Sequence, residues 1–97
     1  MDLQRIGEME KALNECTAAI SALEIQLDRM EQLKEPMTRL FSYYGSEQWY
    51  EDMEGDLPEG TPSGVLSEDG IYDQITAVRD AAFRLLELSS DILKNRI

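Results

Sequence analysis

The sequence predicts an all-α chain, an antiparallel bundle of two long helices (about 3–34 and 68–95) with short broken helices (about 36–44 and 47–54) between them. Three observations carry this reading. Apolar residues step by three and four along both flanks of the chain, turn-forming residues crowd into one central stretch, and the composition is that of a packed helical protein. The 97 residues are 42% hydrophobic and 30% charged, with only 3 Pro and 6 Gly. Such a chain fits one domain, 1–97, and folding it would bury roughly 10,000 Å².

Ile6, Met9, Leu13, Cys16, Ile20, Leu23, Leu27 and Met30 form one seam of the first helix, which at about 1.5 Å per residue would be roughly 48 Å long. Cys16 falls on that seam, so it reads as a small buried hydrophobe rather than a reactive thiol. Pro36 lacks an amide hydrogen and disfavours helical geometry in the residue before it, so a break is expected at Glu35. Met37, Leu40, Phe41 and Tyr44 resume the helical spacing. Gly45 then interrupts it, and Ser46 can cap a short helix closing at Gly55.

Residues 56–66 (DLPEGTPSGVL) hold two prolines and two glycines within eleven positions and form the main loop. Ser67, followed by Glu68 and Asp69, suits an N-cap with two carboxylates in the positively polarised first turn. Ile71, Ile75, Val78, Ala82, Leu85 and Ile92 give the last helix its seam, and Leu86, Leu88 and Leu93 widen it. This helix would be roughly 42 Å long, close to the first, as a hairpin requires.

Charge and missing residue types narrow the function classes. The 20 Asp and Glu against 9 Lys and Arg give a net charge of -11, which argues against direct binding of nucleic acid or an anionic membrane. Histidine is absent, removing the commonest general base and metal ligand. There is no glycine-rich phosphate loop, no nucleophile with a recognisable base and no metal-ligand spacing, so no catalytic residue, cofactor or metal is assigned and an enzyme is not expected. No run of 18 apolar residues occurs, and Met1 to Arg5 carries no basic segment leading into an apolar one, so a cytoplasmic location is expected.

Two features suggest partners. Between Arg39 and Arg79 there is no basic residue, whereas nine acidic ones occur from Glu47 to Asp73; the plain reading is a solvated acidic face. Six of the seven aromatic residues, Phe41, Tyr43, Tyr44, Trp49, Tyr50 and Tyr72, accompany them. Trp49 is the natural plug for a corner between broken helices, and the same cluster could anchor a partner. The candidate partner-binding or structural residues are Tyr43, Tyr44, Trp49, Asp52, Ser67, Glu68, Asp69 and Tyr72. An EF-hand is excluded, because Leu57 stands where its loop needs glycine and Ser63 where it needs glutamate. A looser cation site from Asp52, Glu68, Asp69 and Tyr72 is a weaker alternative. Ala18 and Ile25 lie opposite the seam of the first helix and, with Ala22, form a candidate homodimer face.

The stretches Leu40 to Asp52 and Gly64 to Tyr72 resemble the signatures of a family of small, acidic, helical bacterial proteins of unknown function. The resemblance rests on Tyr43, Tyr44, Ser46, Trp49 and Asp52 and on the run Gly64, Val65, Leu66, Ser67, Glu68 and Asp69. It implies a fold and no activity. The function expected is a non-enzymatic protein–protein interaction or assembly module, self-associating or binding another protein. The alternative is an acidic decoy for a basic nucleic-acid-binding partner, whose complex should weaken steeply with salt.

Overall fold

In the computed structural model, residues 1–95 are described, and all regular structure among them is helical. The order is α1 (Leu3–Tyr43), α2 (Glu47–Glu54), a single 3-10 turn (Gly64–Leu66) and α3 (Gly70–Lys94). The all-α class and the sequence long helix, short elements, long helix therefore hold. The chain divides into two compact units, Met1–Met37 and Thr38 onward, and each is described by itself.

The first unit is helical from Leu3. The Asp2 carboxylate starts it by accepting the Arg5 N–H at 3.1 Å, three residues on, as an N-cap does. Exposed i,i+3 and i,i+4 pairs, Lys34 with Glu31 at 3.2 Å and Lys11 with Glu15 at 4.0 Å, add little to stability. The seam residues expected to be buried are exposed: Ile6, Met9, Leu13, Ile20, Leu23, Leu27 and Met30 keep 41–60% of their surface accessible. Cys16, read as a buried hydrophobe, is also exposed. Its seam position is real, and what differs is that nothing in its own unit covers that seam.

The expected break at Pro36 does not occur, so residues 36–44 are the end of α1 rather than a separate helix. Proline's fixed φ is itself helical, and its penalty is one missing hydrogen bond to Gln32 plus crowding of that carbonyl. Pro36 lies on an exposed face, where water can satisfy the orphaned carbonyl. The apolar steps Met30, Leu33, Met37, Leu40 and Tyr44 pass across the proline without a missed position. Helix α1 ends instead at Gly45, whose φ of +77° reverses the chain. The Ser46 N–H closes that turn on the Tyr43 carbonyl at 3.0 Å.

In the second unit, Ser46 caps α2 through its side chain and Gly55 ends the helix. The loop after it contains one unforeseen element, the 3-10 turn. Helix α3 begins at Gly70, two residues after the predicted start, with Asp69 at the cap position and Asp73 in the first turn. Glu68 and Asp69 therefore precede the helix rather than lie in its first turn. Ser67 still makes the expected i to i+3 contact, its Oγ accepting the Gly70 N–H at 2.9 Å and donating to the Gly64 carbonyl at 2.8 Å. The helix ends at Lys94, one residue short of the expected end. Ile71 is buried and Ile75 and Val78 half-buried, but Ala82, Leu85, Leu86, Leu88, Ile92 and Leu93, expected on a covered face, are exposed.

Candidate functional site

The corner of the second unit is built around Trp49. Ser46 Oγ accepts the Trp49 backbone N–H at 3.2 Å, fixing the first turn of α2 and with it the direction of the indole. The ring is 4% exposed, and its Nε1–H donates to the Val65 carbonyl at 2.8 Å, tying α2 to the 3-10 turn. Tyr44 and Tyr50 meet the indole in edge-to-face geometry at centroid distances of 4.9 and 5.0 Å. Tyr72 lies 6.4 Å from Tyr44, and the Tyr44 hydroxyl donates to the Glu68 backbone carbonyl at 3.3 Å. Ile71, 2% exposed, is the other buried apolar residue among the described residues of this unit.

An open groove of about 470 Å³ lies over this corner, lined by Tyr44, Gly45, Trp49, Tyr50, Met53, Glu68, Asp69 and Tyr72. It joins exposed tyrosine rings to two carboxylates. Guanidinium and ammonium groups favour such surroundings, stacking on the ring faces and pairing with the acids. A neighbouring depression, lined by Leu40, Pro62, Gly64, Val65, Gly70, Ile71 and Gln74, is apolar.

Of the residues singled out from sequence, Tyr44, Trp49, Glu68, Asp69 and Tyr72 share this groove. Tyr43 and Asp52 do not line it; they pair with each other beside α2. The Tyr43 hydroxyl donates to Asp52 Oδ2 at 2.5 Å, and Gln48 Nε2 donates to Asp52 Oδ1 at 2.8 Å. Ser67 is structural, locking Gly64 to Gly70. Ala18, Ala22 and Ile25 are exposed on α1, Ile25 to 66%. Sequence reasoning counted Tyr50 only within the aromatic cluster and passed over Met53, although Met53 follows Trp49 by four positions and Tyr50 by three on the same short helix and so lies on the side of both. Among the described residues, no three Asp, Glu or Cys side chains converge as a metal would require, and Asp52 is engaged away from Glu68 and Asp69.

The Tyr43–Asp52 pair makes stability depend on pH. The hydrogen bond from Tyr43, then that from Gln48, holds the Asp52 carboxyl below its ordinary range, while the same bond to Asp52 holds the Tyr43 hydroxyl above its own. The depressed carboxyl contributes stability above about pH 4 that is lost as pH falls through its folded value. The raised phenol contributes stability below about pH 10 that is lost as pH rises through its folded value. Tyr43→Phe should therefore melt below the parent at neutral pH, with the difference narrowing at both extremes. Melting curves that stay equally far apart from pH 2 to pH 11 would remove the pair as their cause.

The pattern of a domain of unknown function, DUF4298, matches residues 6–88, which include nearly all of α1, the corner and most of α3. The chain belongs to the DUF4298 family. No curated protein and no solved structure matches it. The DUF4298 match thus spans both helical flanks and the groove, and it carries no activity with it. Among the described residues of this DUF4298 chain, no helix is long and apolar enough to cross a membrane.

Proposed function

We propose that this chain is a cytoplasmic, non-enzymatic interaction module that self-associates along its first helix and docks a basic segment of another protein at its acidic, aromatic corner. The observation that carries the docking half is the groove in which Tyr44, Tyr50 and Tyr72 stand beside the carboxylates of Glu68 and Asp69. Tyrosine offers apolar area at low entropic cost, and it supplies the faces on which arginine and lysine stack. The carboxylates set the sign of the partner. The self-association half draws support from the uncovered seam of α1. The seam is longer and more apolar than the face of Ala18, Ala22 and Ile25, so it has first claim on a second copy.

The docking half is tested with a hexa-arginine peptide followed by Trp49 emission and by calorimetry. Saturable binding is expected, weakened about tenfold by Glu68→Gln with Asp69→Asn, as the loss of charged partners of about 1.4 kcal/mol implies. A linear, non-saturating titration up to millimolar peptide defeats it. The self-association half is tested by light scattering on the eluting protein, which should give about twice the 11.1 kDa chain mass.

The decoy reading keeps one observation in its favour. Glu47, Glu51, Glu54, Asp56 and Glu59 are all exposed, a field broader than the groove needs. Binding to a basic partner that vanishes with modest added salt, and is indifferent to Tyr72→Ala, would favour it.

A further inference from the structure

The seam of α1 repeats every seven residues, with Ile6, Leu13, Ile20 and Leu27 at the first core position and Cys16 and Leu23 at the second. From Ile6 to Met30 the stripe runs about 36 Å along one helix, and its large side chains are exposed. Soluble chains rarely leave so long an apolar stripe bare. We propose that a second copy of this chain covers it as a parallel, in-register two-helix coiled coil over residues 6–30. The inference rests on the self-association reading above and adds the direction and register of the two helices.

The flanking positions decide the direction. The residues that border the seam on one side are Glu10, Thr17, Glu24 and Glu31, and on the other Arg5, Ala12, Ala19 and Gln26. In a parallel pair the second set meets the first set of the partner copy one heptad on. Arg5 then faces Glu10, Ala19 faces Glu24 and Gln26 faces Glu31, each twice over by symmetry, so the charged pair is attractive and there is no like-charge pair. An antiparallel pair centred on the same seam sets each border against itself. Glu10 then faces Glu31 of the partner copy, twice over by symmetry, and like charges so placed are destabilising. Isoleucine at the first core position, as at Ile6 and Ile20, with leucine at the second, as at Leu23, also favours two parallel strands.

Lys34, the next first-position residue, opposes its own copy in the parallel arrangement. That costs some stability at the end of the seam, and Glu31, 3.2 Å from the Lys34 Nζ in the same helix, offsets it.

Cys16 reports the geometry. In the parallel register it faces Cys16 of the partner copy at a core position, within the roughly 4.4–6.8 Å between Cα atoms that a disulfide spans. In the antiparallel register centred on residues 6–30 it faces Ile20, and the two cysteines are offset by about 6 Å along the axis on opposite helices, too far apart for a disulfide to close without backbone movement. The experiment oxidises the full chain with copper phenanthroline at low micromolar concentration and reads a non-reducing gel. The expected result is near-complete covalent dimer for the parent, and only slow, concentration-dependent dimer for Cys16→Ser carrying Ile25→Cys on the opposite face. Light scattering on the reduced protein runs alongside it. A non-covalent dimer without the Cys16 cross-link overturns the parallel register while leaving self-association standing. A reduced protein that stays monomeric at high micromolar concentration overturns both. Leu23→Lys should weaken dimerisation at least about 100-fold by placing an unpaired charge in the seam, whereas Ile25→Lys should leave it unchanged.

Discussion

Replacing Trp49 with alanine should lower the unfolding free energy by about 3–5 kcal/mol, the largest loss expected of any single substitution in this chain. Trp49 and Ile71 are the buried apolar residues among those described, so removing the indole empties much of what passes for a core in the second unit. The damage extends beyond the cavity. The Nε1–H held the Val65 carbonyl at 2.8 Å, and an orphaned buried acceptor costs about 1–3 kcal/mol if water cannot reach it. Tyr44 and Tyr50 also lose their edge-to-face partner. A small domain has about 5–15 kcal/mol in all, so α2 and the 3-10 turn should lose cooperative structure at room temperature. Urea unfolding followed by circular dichroism and tyrosine fluorescence measures the loss. Trp49→Phe, which keeps most of the ring and drops the donor, should lie between parent and Trp49→Ala. Full stability in the alanine variant with peptide binding abolished would make Trp49 a surface anchor rather than a plug.

The helices were legible because their apolar residues repeat at the helical period, and the ends of α2 because Ser46 and Gly55 are strong boundary residues. The missed break at Pro36 shows what a local rule omits. One absent hydrogen bond on an exposed face is a bounded penalty, and the uninterrupted steps from Met30 to Tyr44 oppose it. Ser67 was recognisable as a cap, and its Oγ does accept the Gly70 N–H three residues on, yet the helix starts later, its first backbone bond running from the Asp73 N–H to the Asp69 carbonyl. The groove was legible only as a composition of rings and acids. Nothing in a sequence pattern announces that an indole at position 49 will find the carbonyl of residue 65, or that Tyr43 and Asp52 will pair with each other and leave the groove to Tyr50 and Met53. The seam of α1 marks the complementary limit. Its period says that a face exists to be covered, and the identity of the cover is written, if anywhere, in the charges that flank it.

Gly70→Ala should be the next most damaging change, for a reason confined to a few ångströms of backbone. A Cβ at Gly70 would lie 2.4 Å from the Gly64 carbonyl oxygen and 2.8 Å from Ser67 Oγ, closer than atoms tolerate. Neither neighbour can yield freely. The Ser67 hydroxyl is held between the Gly64 carbonyl and the Gly70 N–H, and Gly64 opens the 3-10 turn whose Val65 carbonyl receives the Trp49 indole. Pushing Gly64 away therefore disturbs the same tie that Trp49→Ala removes from the other side. Overpacking of this kind costs about 1–3 kcal/mol, and loss of the Ser67 cap about 1 kcal/mol more, so Tm should fall by roughly 10–20 °C. The control is Gly7→Ala, where nothing lies within 4 Å of the new Cβ and the gain in helix propensity should stabilise by about 0.5–1 kcal/mol. If both substitutions shift Tm upward, backbone entropy governs both sites and the close approach at Gly70 plays no part. If Gly70→Ala alone falls, and a second-site Ser67→Ala adds little further loss, the cap and the close approach are one structural unit.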